Sequence, residues 1–220
     1  KKEILATEGG IVSIFYGDGR RYKLDRWSFD LGRFIFETPA VSDVDGDGSS
    51  DIAILGVDIW MDDFSKVYLF DDEARLFAGP DHSRSVVEIP YADQGGVKLA
   101  DLNQDGGLDL LVSAYDSTLD QNYLYAFNRF GQQLPGSWPV TLSGLGSNTV
   151  AMAAELDESF PGLEILVGFS QTPKIYAFHF DGTELEGWPF EGNAGEKFPY
   201  APVVGDVNGD GKQDICFPSV

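Results

Sequence analysis

The stretch Asp43-Val44-Asp45-Gly46-Asp47-Gly48-Ser49-Ser50-Asp51 decides how the rest of the chain is read. Side-chain oxygens fall at its first, third, fifth and ninth positions, and Ser49 at the seventh offers a main-chain carbonyl. Calcium takes about six to eight oxygens, which carboxylates, one carbonyl and water can supply. The glycine after Asp47 permits the sharp turn that points these oxygens inward. Without a cation, carboxylates this close repel one another. The pattern recurs as Asp101, Asn103, Asp105, Gly107 and Asp109, and again as Asp206, Asn208, Asp210, Lys212 and Asp214.

A helical EF-hand loop needs a bidentate Glu at position 12. Here position 12 is Ile54, Val112 or Phe217, and the flanks read as strands. A solvated Asp-Gly turn is the plain alternative for one copy alone; three copies in one register argue for a cation. A further copy, Glu155-Leu156-Asp157-Glu158-Ser159-Phe160-Pro161-Gly162-Leu163-Glu164, is one residue longer and carries Pro161 where the others have a small, flexible step. Glu155, Asp157 and Glu164 are candidate ligands of a weaker fourth site, with the carbonyl geometry disturbed.

The loops sit in a larger repeat. Residues 38–56, 97–114, 149–169 and 200–219 align, and the N-terminal residues match the part of the last copy that begins at Lys212. The last acidic residue of each unit is Glu3, Asp51, Asp109, Glu164 and Asp214, spaced by roughly 50 residues. A second apolar element follows at 12–15, 67–70, 124–127 and 175–178. An element with Trp138-Pro139 or Trp188-Pro189 comes next; Trp27 holds that place in the first unit and Gly79-Pro80 in the second. All these elements are short, rich in Val, Ile, Tyr and Phe, and bounded by Gly, Pro, Asn or Asp. No apolar period of 3.6 is sustained. Each unit therefore holds about four strands, the signature of a propeller blade. The expected fold is an all-β, β-propeller arrangement of four-stranded antiparallel blades over residues 1–220. The units run approximately 1–37, 38–96, 97–148, 149–199 and a partial 200–220.

The acidic loop between two strands resembles the FG-GAP repeat family, also called VCBS, whose relatives include the integrin α-subunit propellers. The segment from Tyr176 to Pro189 is similar to bacterial secreted members. The FG-GAP tripeptides themselves are missing, which leaves the subfamily open. The resemblance implies calcium as the cation, blades of four strands, and an extracellular or cell-surface protein. It implies that residues 38–42 form the innermost strand, 52–55 the second, 67–70 the third, and the Trp-Pro segment the outermost. Because the chain covers four repeats and then repeats one strand, simple closure would leave Glu3 and Asp214 competing for one position. An arc of a larger propeller is expected, with a head-to-tail polymer as the alternative.

Bulk properties narrow the partners. The net charge of −21 repels phosphate backbones, so nucleic acid is an unexpected partner. No run of 18 apolar residues exists, so no membrane span is expected. No signal peptide precedes Lys1, as in a mature or trimmed chain. The lone Cys216 lies in an expected strand, where a buried, inert thiol is the reading. Trp27, Trp138 and Trp188 suit blade packing, with a sugar-stacking platform as the alternative. The loop at 58–64 is longer than its counterpart in the third copy. Its Ile59, Trp60, Met61 and Phe64 are candidate partner contacts, or else fold back on the next blade.

His82 and His179 assemble no acid–base constellation with a nucleophile, so the chain is read as no enzyme. The expected function is a calcium-bearing binding or adhesion module for a protein or glycan. A filament or sheath subunit, and part of a polysaccharide-active enzyme, are the competing readings.

Overall fold

The computed structural model describes residues 3–23, 25–57, 64–77, 86–90, 92, 94–143, 146–147 and 151–220. These residues form strands and turns, with no helix among them. A first sheet holds β1 (Glu3–Glu8), β2 (Ile11–Tyr16) and β3 (Ser28–Asp30) in that order. A second holds β4 (Ala40–Ser42), β5 (Asp51–Gly56), β6 (Phe64–Phe70) and β7 (Val87–Pro90). The third holds β8 (Gln94–Ala100), β9 (Asp109–Asp116), β10 (Gln121–Asn128) and β11 (Val140–Ser143). The fourth holds β12 (Met152–Ala154), β13 (Glu164–Gly168), β14 (Lys174–Phe178) and β15 (Phe190–Glu191). A two-stranded piece of β16 (Val203–Gly205) and β17 (Asp214–Cys216) follows. Neighbouring strands are antiparallel throughout.

Period-two geometry then explains the stacking. Successive side chains of a strand point to opposite faces of its sheet. Ile52 and Ile54 of β5, with Tyr68 and Phe70 of β6, pack on Val12, Ile14 and Trp27 of the first sheet. Ala53, Leu55, Val67 and Leu69, from the same two strands, face Leu110, Val112, Tyr125 and Phe127 of the third sheet. Leu111, Leu124 and Ala126 turn the other way, onto Ile165, Val167 and Phe178 of the fourth. Middle strands are thus covered on both faces, which is why they read as continuous apolar runs and do not alternate.

The tryptophans stitch one sheet to the next. Trp27, just before β3, donates its indole N–H to the Asp72 carbonyl at 2.9 Å. Trp138, just before β11, donates to the Phe180 carbonyl at 3.2 Å. Asp72 and Phe180 occupy matching places in the turn after the third strand of the following sheet. Both indoles are buried, so packing is their role; Trp188 is only half-buried.

One expectation is corrected. Cys216 lies in β17 as expected, but its thiol is exposed. In the repeat it matches Ala53, Leu111 and Leu166, all fully covered because another sheet lies over that side. Nothing described covers the corresponding side of β17, so the thiol faces outward.

Strand order within the sheets follows the order expected from the repeat. β1 and β17 hold the same place in the repeat yet sit in different sheets, β1 paired with β2 and β17 with β16. No helix among the described residues is long and apolar enough to cross a membrane. Gly79, Pro80 and His82, and the contact candidates Ile59, Trp60 and Met61, lie outside the described residues.

Candidate metal-binding loops

Each acidic loop joins the first strand of a sheet to the second. Asp51, Asp109 and Asp214 open β5, β9 and β17, so the rigid strand fixes where the ninth-position carboxylate sits. That carboxylate reaches back across the loop to the N–H of the second residue. Val44 donates to Asp51 at 2.8 Å, Leu102 to Asp109 at 3.0 Å, and Val207 to Asp214 at 2.9 Å. The first residue is the hub of each turn. Asp43 accepts from the N–H groups of Gly46 and Gly48, Asp101 from Asp105 and Gly106, and Asp206 from Gly209, Asp210 and Gly211. Gly46 and Gly48 adopt φ of 81° and 87°, which side chains rarely tolerate. The remaining oxygens stay inside the turn: Asp45 accepts from Asp47, Asp47 from Ser49, Asp105 from Gly107, and Asp210 from Lys212.

In the first loop Asp43, Asp45 and Asp51 each place one oxygen within 4.8 Å of the others. Among the described residues no other group of three acidic, histidine or cysteine side chains converges so closely. The second and fourth loops replace the third-position Asp by Asn103 and Asn208. Each asparagine accepts from the main chain of the fifth residue and turns its amide N–H to that residue's carboxylate. These donor sets are all oxygen, the chemistry of a hard cation.

Electrostatics favours such an ion at the buried carboxylates. Burial, with Asp105 and Asp101 adding like charge, pushes Asp109 up to about 6, against the opposing pull of the Leu102 N–H. Asp51 is raised for the same reasons, burial first, with Asp45 and Asp47 adding repulsion. A cation held among these oxygens would lower both. Asp206, on the exposed rim, is instead held low by the N–H groups of Gly211 and Gly209.

The third loop is wired differently. Glu164 is fully buried, and its Oε2 accepts from Leu156 at 2.7 Å and Asp157 at 2.9 Å. His179 donates its Nδ1–H to the second oxygen, Oε1, at 3.2 Å. The Phe160 ring stacks on that imidazole, with centroids 3.8 Å apart. Asp157 is turned onto Ser159, whose hydroxyl and N–H hold its carboxyl below the usual range. Glu155 accepts from Gln104 of the second loop at 3.0 Å with Oε2, while its Oε1 is buried without a hydrogen-bond partner. The oxygens of Glu155, Asp157 and Glu164 do not converge within 4.8 Å, and neither do the acids of the second and fourth loops. Sequence reading gave His179 no partner; the signal was register, since it follows β14 where Phe178 pairs with Ile165, which sets it opposite Glu164.

Of the expected contact residues, Phe64 is described. It is exposed, and its carbonyl accepts from Arg33 at 2.9 Å. Sequence reading passed over Phe34 and Phe36, two exposed and stacked rings 6.1 Å apart. Phe34 forms an isolated antiparallel bridge with Val57, just after β5.

No family model matches the chain, and no curated protein matches it. Among solved structures it is similar to BBS1N in complex with ARL6DN, from a mercury-soaked crystal, at a TM-score of 0.50 and 17% identity. That likeness covers 90% of this chain and 52% of that one. A lead-soaked crystal of the same complex gives a TM-score of 0.47 at 16% identity, over 90% of this chain and 50% of that one. A protein of unknown function from Bacteroides caccae gives 0.44 at 14% identity, over 84% and 56%. The first likeness speaks to fold alone: this is an all-β protein whose four-stranded antiparallel sheets are arranged as in the BBS1N β-propeller. The chain spans about half the length of that structure.

Proposed function

We propose that the chain is a calcium-stabilised sector of a β-propeller that serves as a binding module, not an enzyme, for a protein or glycan outside the cell. The observation that carries the calcium reading is the convergence of Asp43, Asp45 and Asp51 within 4.8 Å, on a loop whose donor spacing recurs twice more. Calcium in the three regular loops neutralises carboxylates that burial already penalises. It also fixes the turn between the first two strands of three sheets.

The sector reading is supported by the chain's coverage of only about half of BBS1N. BBS1N is bound to ARL6DN in that structure, in keeping with a protein partner here. Exposed Phe34, Phe36 and Phe64 offer aromatic surface for such a contact.

The test is thermal unfolding of the purified protein with saturating calcium and with excess chelator. The melting temperature is expected to fall by at least about 5 °C on chelation. An unchanged melting temperature, with no heat of calcium binding by calorimetry, sinks the reading.

A further inference from the structure

In the three regular loops the ninth-position carboxylate uses one oxygen to cap the second residue's N–H, at 2.8 to 3.0 Å. Glu164 does the same with Oε2, which accepts from the N–H groups of Leu156 and Asp157. The difference is at its other oxygen. The residue facing the ninth position across the hairpin is Asn128 in the third sheet, set against Asp109, and Asp71 at the matching place in the second. Asn128 gives its amide N–H to Gln132, and Asp71 is itself a carboxylate paired with Arg75. In the fourth sheet that residue is His179, with Nδ1 3.2 Å from Glu164 Oε1. The extra methylene of glutamate, relative to aspartate, lets a carboxyl rooted on β13 serve both the loop and the imidazole. Phe160, supplied by the longer loop, covers the ring. Asp157 is held by Ser159, and Glu155 accepts from Gln104 with Oε2 while its Oε1 is buried without a hydrogen-bond partner.

We propose that the third loop closes without a cation, His179 supplying to Glu164 the partner that calcium supplies to Asp51, Asp109 and Asp214. The protein then takes three calcium ions, and the fourth sheet keeps its first turn when calcium is withdrawn. The contrast with the other loops rests on the calcium reading above; the role of His179 does not.

Hydrogen exchange of individual amides, read by NMR, tests it. In wild-type protein, excess chelator is expected to cut protection at Val44, Leu102 and Val207 by at least about tenfold. Leu156 and Asp157 are expected to hold theirs. His179→Ala is expected to cut protection at Leu156 and Asp157 by a similar factor with calcium present, leaving Val44 unchanged. Loss of protection at Leu156 and Asp157 on chelation, or a fourth calcium by equilibrium dialysis, overturns the proposal. So does unchanged protection of those two amides in His179→Ala. If chelation changes no amide at all, the calcium reading fails while the His179→Ala arm still decides this one.

Discussion

Leu102 is tied to Asp109 across the second acidic loop, its main-chain N–H donating to Asp109 Oδ2 at 3.0 Å. The same residue links two sheets. Its carbonyl accepts from Leu163 of the third loop at 2.8 Å, and its fully buried side chain sits among Leu111, Leu124, Ile165 and Val167. Closing the loop thus seats a leucine in the core between the third and fourth sheets, which couples the cation-binding turn to packing.

Leu102→Ala is accordingly expected to cost about 3 kcal/mol, from lost burial plus the cavity left behind. Val207 holds the same place in the last loop but is 82% exposed, so Val207→Ala is expected to stay within about 0.5 kcal/mol of wild type. Urea unfolding of both variants in calcium checks the pair. Equal losses would mean that the loop position, and not the buried side chain, sets the cost.

The buried Asp109 predicts an unusual pH response in calcium-free protein. Its carboxyl is pushed up to about 6 in the fold, chiefly by burial, against about 4 in an unfolded chain. The folded state therefore binds more protons than the unfolded state between those values. Stability from this group is full below pH about 4 and is lost as pH rises through about 6, by up to about 3 kcal/mol. Calcium-free protein should resist urea better at pH 4.5 than at pH 7 as far as this group is concerned, and Asp109→Asn should flatten that part of the slope. Saturating calcium should remove it as well, because the ion stabilises the ionised carboxylate. A slope unaltered in Asp109→Asn would assign the effect elsewhere.

Much of this was legible along the chain because the repeat writes itself in local chemistry. Aspartates at alternate positions followed by glycine mark the turns, and apolar runs after them mark strands covered on both faces. What period alone could not supply was which faces another sheet covers. Cys216 sits two residues after the last acid of its loop, as Leu166 and Ala53 do, yet is exposed because coverage comes from a different sheet. The wiring of the third loop was hidden for a related reason. Its acids count as ligands when read by spacing, but His179 enters from across a hairpin and Gln104 from another sheet's loop. Both partners are remote in sequence, and neither belongs to the motif.

The tryptophan stitches give a graded prediction. Trp138 and Trp27 each spend an indole N–H on a carbonyl of the next sheet, at 3.2 and 2.9 Å. Replacing either by Phe keeps an apolar ring but leaves the Phe180 or Asp72 carbonyl without that donor. An expected loss of about 1–2 kcal/mol follows for each. Trp188 has no such hydrogen bond among the described residues, so Trp188→Phe should be close to neutral. Approach of the chain beside Trp138 is equally tight. Ser137 donates its N–H to the Asp181 carbonyl at 2.6 Å, and Gly136 adopts φ of 131°. A Cβ at Gly136 would lie 2.1 Å from that same carbonyl oxygen. Gly136→Ala must therefore push the Trp138 turn off the fourth sheet, and is expected to cost at least about 2 kcal/mol. If Trp138 anchors the two sheets, Gly136→Ala and Trp138→Phe act on one interface, and their double variant should lose less than the sum of the single losses. Strict additivity in urea unfolding would mean that the indole hydrogen bond survives the displaced turn, and that the two positions act independently.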